Sequence, residues 1–171
     1  MSASASSLSS GGVSHPYSTR LTAALRHPAV HTAAVLAVVA VVVLHGIGQG
    51  EFDPTNDEAA HATTGIFFRD FYREMPLGHA EQYAFRYYAQ YPALGLIHWP
   101  PGFHVVEGAV YSVLGASVES ARFTVALYAL AGALFWYLLI RRLHGPGLAA
   151  LSTIVIVPPP WPTTGAVPTQ L

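Results

Sequence analysis

Between positions 53 and 61 the chain reads Asp53-Pro54-Thr55-Asn56-Asp57-Glu58-Ala59-Ala60-His61. A carboxylate set against a hydroxyl takes its proton as the oxygen attacks another centre, and Asp, Glu and His are the groups suited to this near neutral pH. If a helix begins at Asn56, Asp57 and Glu58 fall in its first turn, with His61 four and three residues further on along the same face. The same residues also meet a structural demand. Thr55 to Glu58 has the capping-box spacing, and acids near a helix N-terminus are favoured by the helix dipole. The local pattern leaves capping and catalysis both open.

These residues follow an apolar run. Pro28 to Gly48 carries no formal charge, and a helix of ~20 residues at ~1.5 Å each matches a hydrocarbon core of ~30 Å. The run therefore predicts a first transmembrane helix over 28–48. As a cleaved leader it would be unusually long, with a poor cleavage site at Gly46-Ile47-Gly48. Phe123 to Ile140 is a second charge-free run, closed by Arg141-Arg142, and predicts a second span over 123–140. Arg20 and Arg26 precede the first span, and arginines favour the cytoplasmic side. The two spans then agree on one topology, with residues 49–122 forming a single external loop and 141–147 a cytoplasmic turn.

Within that loop, two juxtamembrane helices are predicted at about 56–75 and 102–115. The first carries a stripe of Ala60, Thr64, Phe67, Phe71 and Met75 opposed by Arg69, Asp70 and Arg73, and Pro76 with Gly78 ends it. The second is apolar apart from His104 and Glu107, and too short to span. From His79 to Trp99, Tyr83, Tyr87, Tyr88, Tyr91 and Trp99 surround Pro92 and Gly95 and read as a loop dense in rings. Such rings suit a membrane-interface belt or platforms that stack on sugars. Residues 1–27 are Ser-, Ala- and Gly-rich and predict a mobile cytoplasmic tail. Residues 148–171 begin a third span that Pro158-Pro159-Pro160 interrupts, so the chain reads as the front part of something larger.

Composition supports a membrane protein. Of the 171 residues 52% are hydrophobic and only 10% charged, against about a quarter charged in ordinary soluble domains. The eight basic residues are all arginine and dispersed, which gives no footprint for nucleic acid. Cysteine is absent, so a metal would rest on His, Asp or Glu.

The order of motifs resembles the N-terminal part of polytopic glycosyltransferases of the family 39 and protein-mannosyltransferase type. It runs through a span, the Asp57-Glu58 pair followed by His61, Tyr91-Pro92, Trp99-Pro100-Pro101-Gly102, Ser120-Ala121-Arg122 and a span closed by Arg141-Arg142. The resemblance covers roughly residues 30–147. It implies an all-α membrane protein, the N-terminal part of a GT-C-type helix bundle whose external loop carries juxtamembrane helices. It further implies transfer of a sugar from a polyprenyl-phosphate donor to an acceptor hydroxyl on the outer face of a bacterial plasma membrane, with no nucleic-acid partner.

By that likeness Asp57 is the general base, and Glu58 orients it or helps hold a divalent ion. Trp99, Pro100 and Pro101 line the donor site, and Arg122 binds the lipid phosphate through paired N–H donors. His61, His98 and Tyr91 are further candidates at the site. Glu58, His61 and His98 are the candidate ligands of a divalent metal. Thr164 to Val167 match a stretch of the family's third span, although the acid expected after them is missing. The resemblance also implies that residues 1–171 alone lack transferase activity, because the donor cavity is built with later spans. From a different class, a non-catalytic membrane subunit whose external loop binds a partner or polysaccharide stands as the alternative.

Overall fold

The computed structural model describes residues 27–52 and 57–157. The predicted tail, Thr55 with its capping role, the proline run from Pro158 and the stretch Thr164 to Val167 lie outside the described residues. Among those described, every regular element is helical.

Helix α1 (Pro28–Leu44) opens with Pro28 in its first turn, where the missing N–H costs nothing, and His27 caps it by accepting from Ala29 N at 3.3 Å. It stops at Leu44 because the next residues turn, with Gly46 at φ 77° and Gly50 at φ 74°. The expected first span over 28–48 is therefore shortened. At 17 residues the helix is about 26 Å long, below the ~30 Å of a hydrocarbon core. Helix α2 (Glu58–Glu74) ends at Met75, whose left-handed φ of 48° precedes Pro76. A short 3₁₀ turn (Leu77–His79) then leads into α3 (Ala80–Gln90). Here the sequence reading of a ring-dense loop is corrected. The tyrosines at 83, 87 and 91 are spaced by one helical turn, and Tyr83 and Tyr87 pack on Phe67 of α2.

Helix α4 (Gly102–Leu114) matches its expected extent and ends at Gly115, φ 85°. Helix α5 (Val118–His144) is capped by a Ser117–Ser120 box and runs 27 residues to Gly145, enclosing the expected 123–140 span. It is the one helix among the described residues long and apolar enough to cross a membrane by length and composition. After Gly145, Pro146 starts α6 (Pro146–Ile156).

Two packed regions result. In the first, α1, α5 and α6 share small and β-branched side chains: Val39 and Val43 meet Ala126 and Ala133, and Val35 meets Tyr137 and Ala149. Numbers rising along α1 pair with numbers falling along α5, so the two helices run antiparallel. His31 Nδ1 to Tyr137 OH at 2.7 Å and Arg141 to Thr32 at 3.3 Å tie their lower ends. In the second region α2 packs along α4. The close approach depends on two glycines: a Cβ on Gly108 would stand 2.5 Å from Phe68 Cβ and 2.8 Å from Arg69 N, and one on Gly65 would stand 2.5 Å from Glu107 Oε2. The buried face of α2 is Ala62, Thr64, Gly65 and Phe67. It shares Thr64 and Phe67 with the predicted stripe, whereas Met75 is exposed.

Candidate functional site

Helix α5 starts where α2 and α4 converge, and the three enclose a cavity of about 320 Å³ lined by Glu58, His61, Phe103, Glu107, Ala121, Arg122 and Val125. Each polar member is delivered by local pattern. Glu58 and His61 are three residues apart on α2, and Glu107 is placed by the one polar stripe of α4. Arg122 sits one turn inside α5, past its serine cap.

Arg122 is buried, and its donors are engaged. Nε donates to Glu58 Oε1 at 2.9 Å, Nη1 to the Gln49 carbonyl at 2.6 Å, and Nη2 to the Glu51 carbonyl at 3.0 Å. Arg122 therefore clasps the segment between α1 and α2 and neutralises Glu58. Glu58 correspondingly faces Arg122 and not Asp57. Asp57 occupies the N-cap of α2, is exposed, and makes no side-chain capping bond. The helix starts at Glu58 with Asp57 as its N-cap residue, and the capping role expected of Thr55 lies outside the described residues.

His61 Nδ1 lies 2.9 Å from His104 Nε2. The rings stack at 13°, and Trp99 covers His61 at a centroid distance of 4.3 Å. His104 is buried, and burial, reinforced by the neighbouring His61, lowers its pKa to about 4. One turn along, Glu107 is 1% exposed. Its Oε1 accepts from Tyr111 OH at 3.1 Å, while Oε2 is buried without a partner. Burial pushes this carboxyl up to about 7, with the Tyr111 bond opposing. The same burial, with Glu107 adjacent, raises the Tyr111 phenol.

Trp99, Pro100 and Pro101 are not among the cavity's lining residues. Trp99 reaches the site by stacking on His61, and Pro101 forms the N-cap of α4. The Trp99 ring lies over Gly95, whose N–H donates to Thr64 Oγ1 at 2.9 Å, so this turn is pinned to α2. His98 is exposed beside Trp99, and Tyr91 is exposed and stacks on Tyr87, so neither enters the cavity. Among the described residues no three His, Asp or Glu side chains stand where they could hold one metal ion, so the set Glu58, His61 and His98 is not assembled. His104 and Glu107 were visible in the sequence as the two ionisable residues of an apolar segment, three apart, which was the available signal for them.

Arginine, imidazole and carboxyl groups thus converge on a small cavity at the start of the longest apolar helix. The chain matches no family model, no curated protein and no solved structure.

Proposed function

We propose that this region is the acid–base site of a membrane glycosyltransferase, which passes a sugar from a polyprenyl-phosphate donor to an acceptor hydroxyl. The observation that carries the reading is the cavity at the N-terminal end of α5, with Glu58, His61, Glu107 and Arg122 on its wall. Asp57 stands immediately before that wall, exposed and with no capping bond to occupy its carboxylate. In this reading α5 crosses the membrane, α1 inserts beside it, and α2 to α4 lie at the outer surface, so the cavity opens where a lipid-borne sugar meets water. Asp57 takes the proton of the attacking hydroxyl. A phosphate leaving group needs little acid assistance, so the base carries most of the proton traffic.

A second reading keeps a specific observation in its favour. Glu58 is neutralised by Arg122 and His61 is bonded to His104, as expected of a self-satisfied structural cluster in a non-catalytic membrane subunit. Membranes from cells expressing the complete reading frame that encodes this chain separate the two. With a panel of radiolabelled polyprenyl-phosphate sugars, the transferase reading expects donor-dependent label in an acceptor fraction above membranes lacking the protein. No label with any donor would leave the structural reading.

A further inference from the structure

Helix α4 is polar on its inner face and apolar on its outer one. The buried face is His104, Glu107, Gly108 and Tyr111, and it packs on α2. On the opposite face Val105, Val106, Ala109, Val113 and Leu114 are exposed, Val113 by 82%, and no exposed side chain of this helix is charged. Its one exposed hydroxyl, on Ser112, donates to the Gly108 carbonyl at 2.8 Å. The neighbouring helices are arranged the other way: α2 exposes Arg73 and Glu74, and α3 exposes Glu81, Gln82 and Arg86. A helix in water turns its polar stripe outward. Ionisable groups turned toward the protein, with apolar ones outward, are the pattern of a helix solvated by hydrocarbon.

The contacts of its first turn set how deep α4 lies. Tyr128 OH donates to the Gly102 carbonyl at 3.2 Å, and the Tyr128 ring packs on Phe103 at a centroid distance of 5.4 Å. Tyr128 is ten residues into α5 from Val118, or ~15 Å along its axis, and ~8 Å past Phe123, where the charge-free stretch begins. The other end of α4 joins the start of α5 through residues 115–117. Helix α4 therefore lies back along the first part of α5 with its own first turn lowest. The turn before it leaves few open donors, as hydrocarbon depth requires. The N–H groups of His98 and Trp99 donate to the Gly95 carbonyl at 3.0 and 3.2 Å, and Pro100 and Pro101 have none.

We propose that α4 is sunk in the outer leaflet with its first turn deepest, and that Val105, Val106, Ala109 and Val113 form a surface for phospholipid acyl chains. The inference rests on the reading of α5 as a membrane span, and it moves α4 from the face of the bilayer into it. Acyl chains and not head groups are the partner, because no cation stands on this face. The apolar stripe also continues through Phe103 and Tyr128, the latter 43% exposed, onto the outer surface of α5. One layer of lipid then solvates both helices.

Spin labels on single cysteines test this in phospholipid bilayers, since the chain has no cysteine of its own. They read collisions with oxygen, which concentrates among acyl chains, and with a nickel chelate, which stays in water. Labels at Val106→Cys and Ala109→Cys should relax mainly by oxygen, as should one at Leu139→Cys in the charge-free stretch of α5. A label at Arg86→Cys, on the exposed face of α3, should relax mainly by nickel. The unsubstituted chain gives a second measurement that no failed variant can remove. A phospholipid carrying a diazirine in its acyl chain should, on illumination, label the peptide 102–114 and not the peptide 80–90. Nickel-dominated relaxation at the α4 sites would overturn the proposal, as would few collisions with either reagent, the result of a covering protein helix. Absence of acyl label in 102–114 would do the same. Oxygen-dominated relaxation on α4 with nickel at Leu139→Cys would keep α4 in lipid and sink the span, and the opposite pair of results would keep the span and sink this inference.

Discussion

Arg122 Nε donates to Glu58 Oε1 at 2.9 Å, joining the first residue of α2 to α5 across 64 positions of sequence. The same guanidinium holds the Gln49 and Glu51 carbonyls, so one side chain fixes how α1, α2 and α5 meet. A bidentate or forked donor does this where a lysine would not, because the guanidinium presents five N–H groups in a fixed plane.

The pair should be measurable by a double-mutant cycle. With side chains 8% and 22% exposed, Glu58→Gln and Arg122→Gln together should show a coupling of about 1 to 2 kcal/mol in thermal or denaturant unfolding. Arg122→Lys should recover little of it. Additivity within ~0.3 kcal/mol would mean that the pair holds nothing together.

Glu107 and His104 make opposite contributions to stability with pH. The folded pKa of Glu107 is raised from 4.5 to about 7, so the folded state holds the extra proton, and its stabilising term is lost as pH rises through about 7. The folded pKa of His104 is lowered from 6.5 to about 4, so its term is present above 6.5 and lost as pH falls through about 4. Between pH 4.5 and 6.5 the two offset each other, and above 6.5 Glu107 alone decides. Wild-type stability should therefore be nearly flat from pH 4.5 to 6.5 and fall by less than about 1 kcal/mol from pH 6.5 to 8.5. Glu107→Gln, left with the His104 term alone, should instead gain about 2 kcal/mol from pH 4.5 to 6.5, as read from melting temperatures in nanodiscs. A variant as flat as the wild type over that range would place the titrating group elsewhere.

The glycine contacts give a packing test. Gly108→Ala drives a methyl into Phe68 and the Arg69 backbone and should cost about 1 to 3 kcal/mol as overpacking. Gly132→Ala, with nothing within 4 Å of the new methyl, should be neutral or slightly stabilising. Equal tolerance at both positions would show that α2 and α4 are not held at this distance.

How much of this was readable beforehand follows from which forces are local. The boundaries of α2 and α4 were legible because Pro76 and Gly115 punctuate the chain on the scale of a turn, whereas α5 runs from its Ser117 cap through Arg141-Arg142 to Gly145, beyond both ends of the expected 123–140. Helix α3 was missed because Pro92 and Gly95 made the ring-dense stretch read as a loop, although the spacing of four between the tyrosines at 83, 87 and 91, the last of them its C-cap, is helical. The first span was overextended because charge alone marked its end, whereas Gly46 and Gly50 end the helix through positive φ. The site was half legible. Glu58, His61 and Arg122 were named in sequence, but the partners of His61 and Glu58 lie 43 and 64 residues away, and no local pattern encodes them. Glu107 became a candidate only once the packing against Gly65 showed it to be buried.

The proposed topology is tested with single cysteines in a chain that has none of its own. Gln90→Cys and Ala116→Cys, both at exposed positions, should react with an impermeant thiol reagent added outside cells, and Gly147→Cys should not. Labelling of all three, or of none, would remove α5 from the membrane.

The central claim is that Asp57 is a base and not merely the first polar residue of α2, and Asp57→Asn in the complete reading frame addresses it. Asparagine caps a helix about as well as aspartate, so expression and membrane insertion should be unchanged, with at most ~1 kcal/mol lost. Removal of a general base typically costs ~100- to 10,000-fold in rate. Sugar transfer from the polyprenyl-phosphate donor, normalised to inserted protein, should fall by at least ~100-fold. Transfer by the asparagine variant at near the wild-type rate would contradict the assignment and return Asp57 to a structural role.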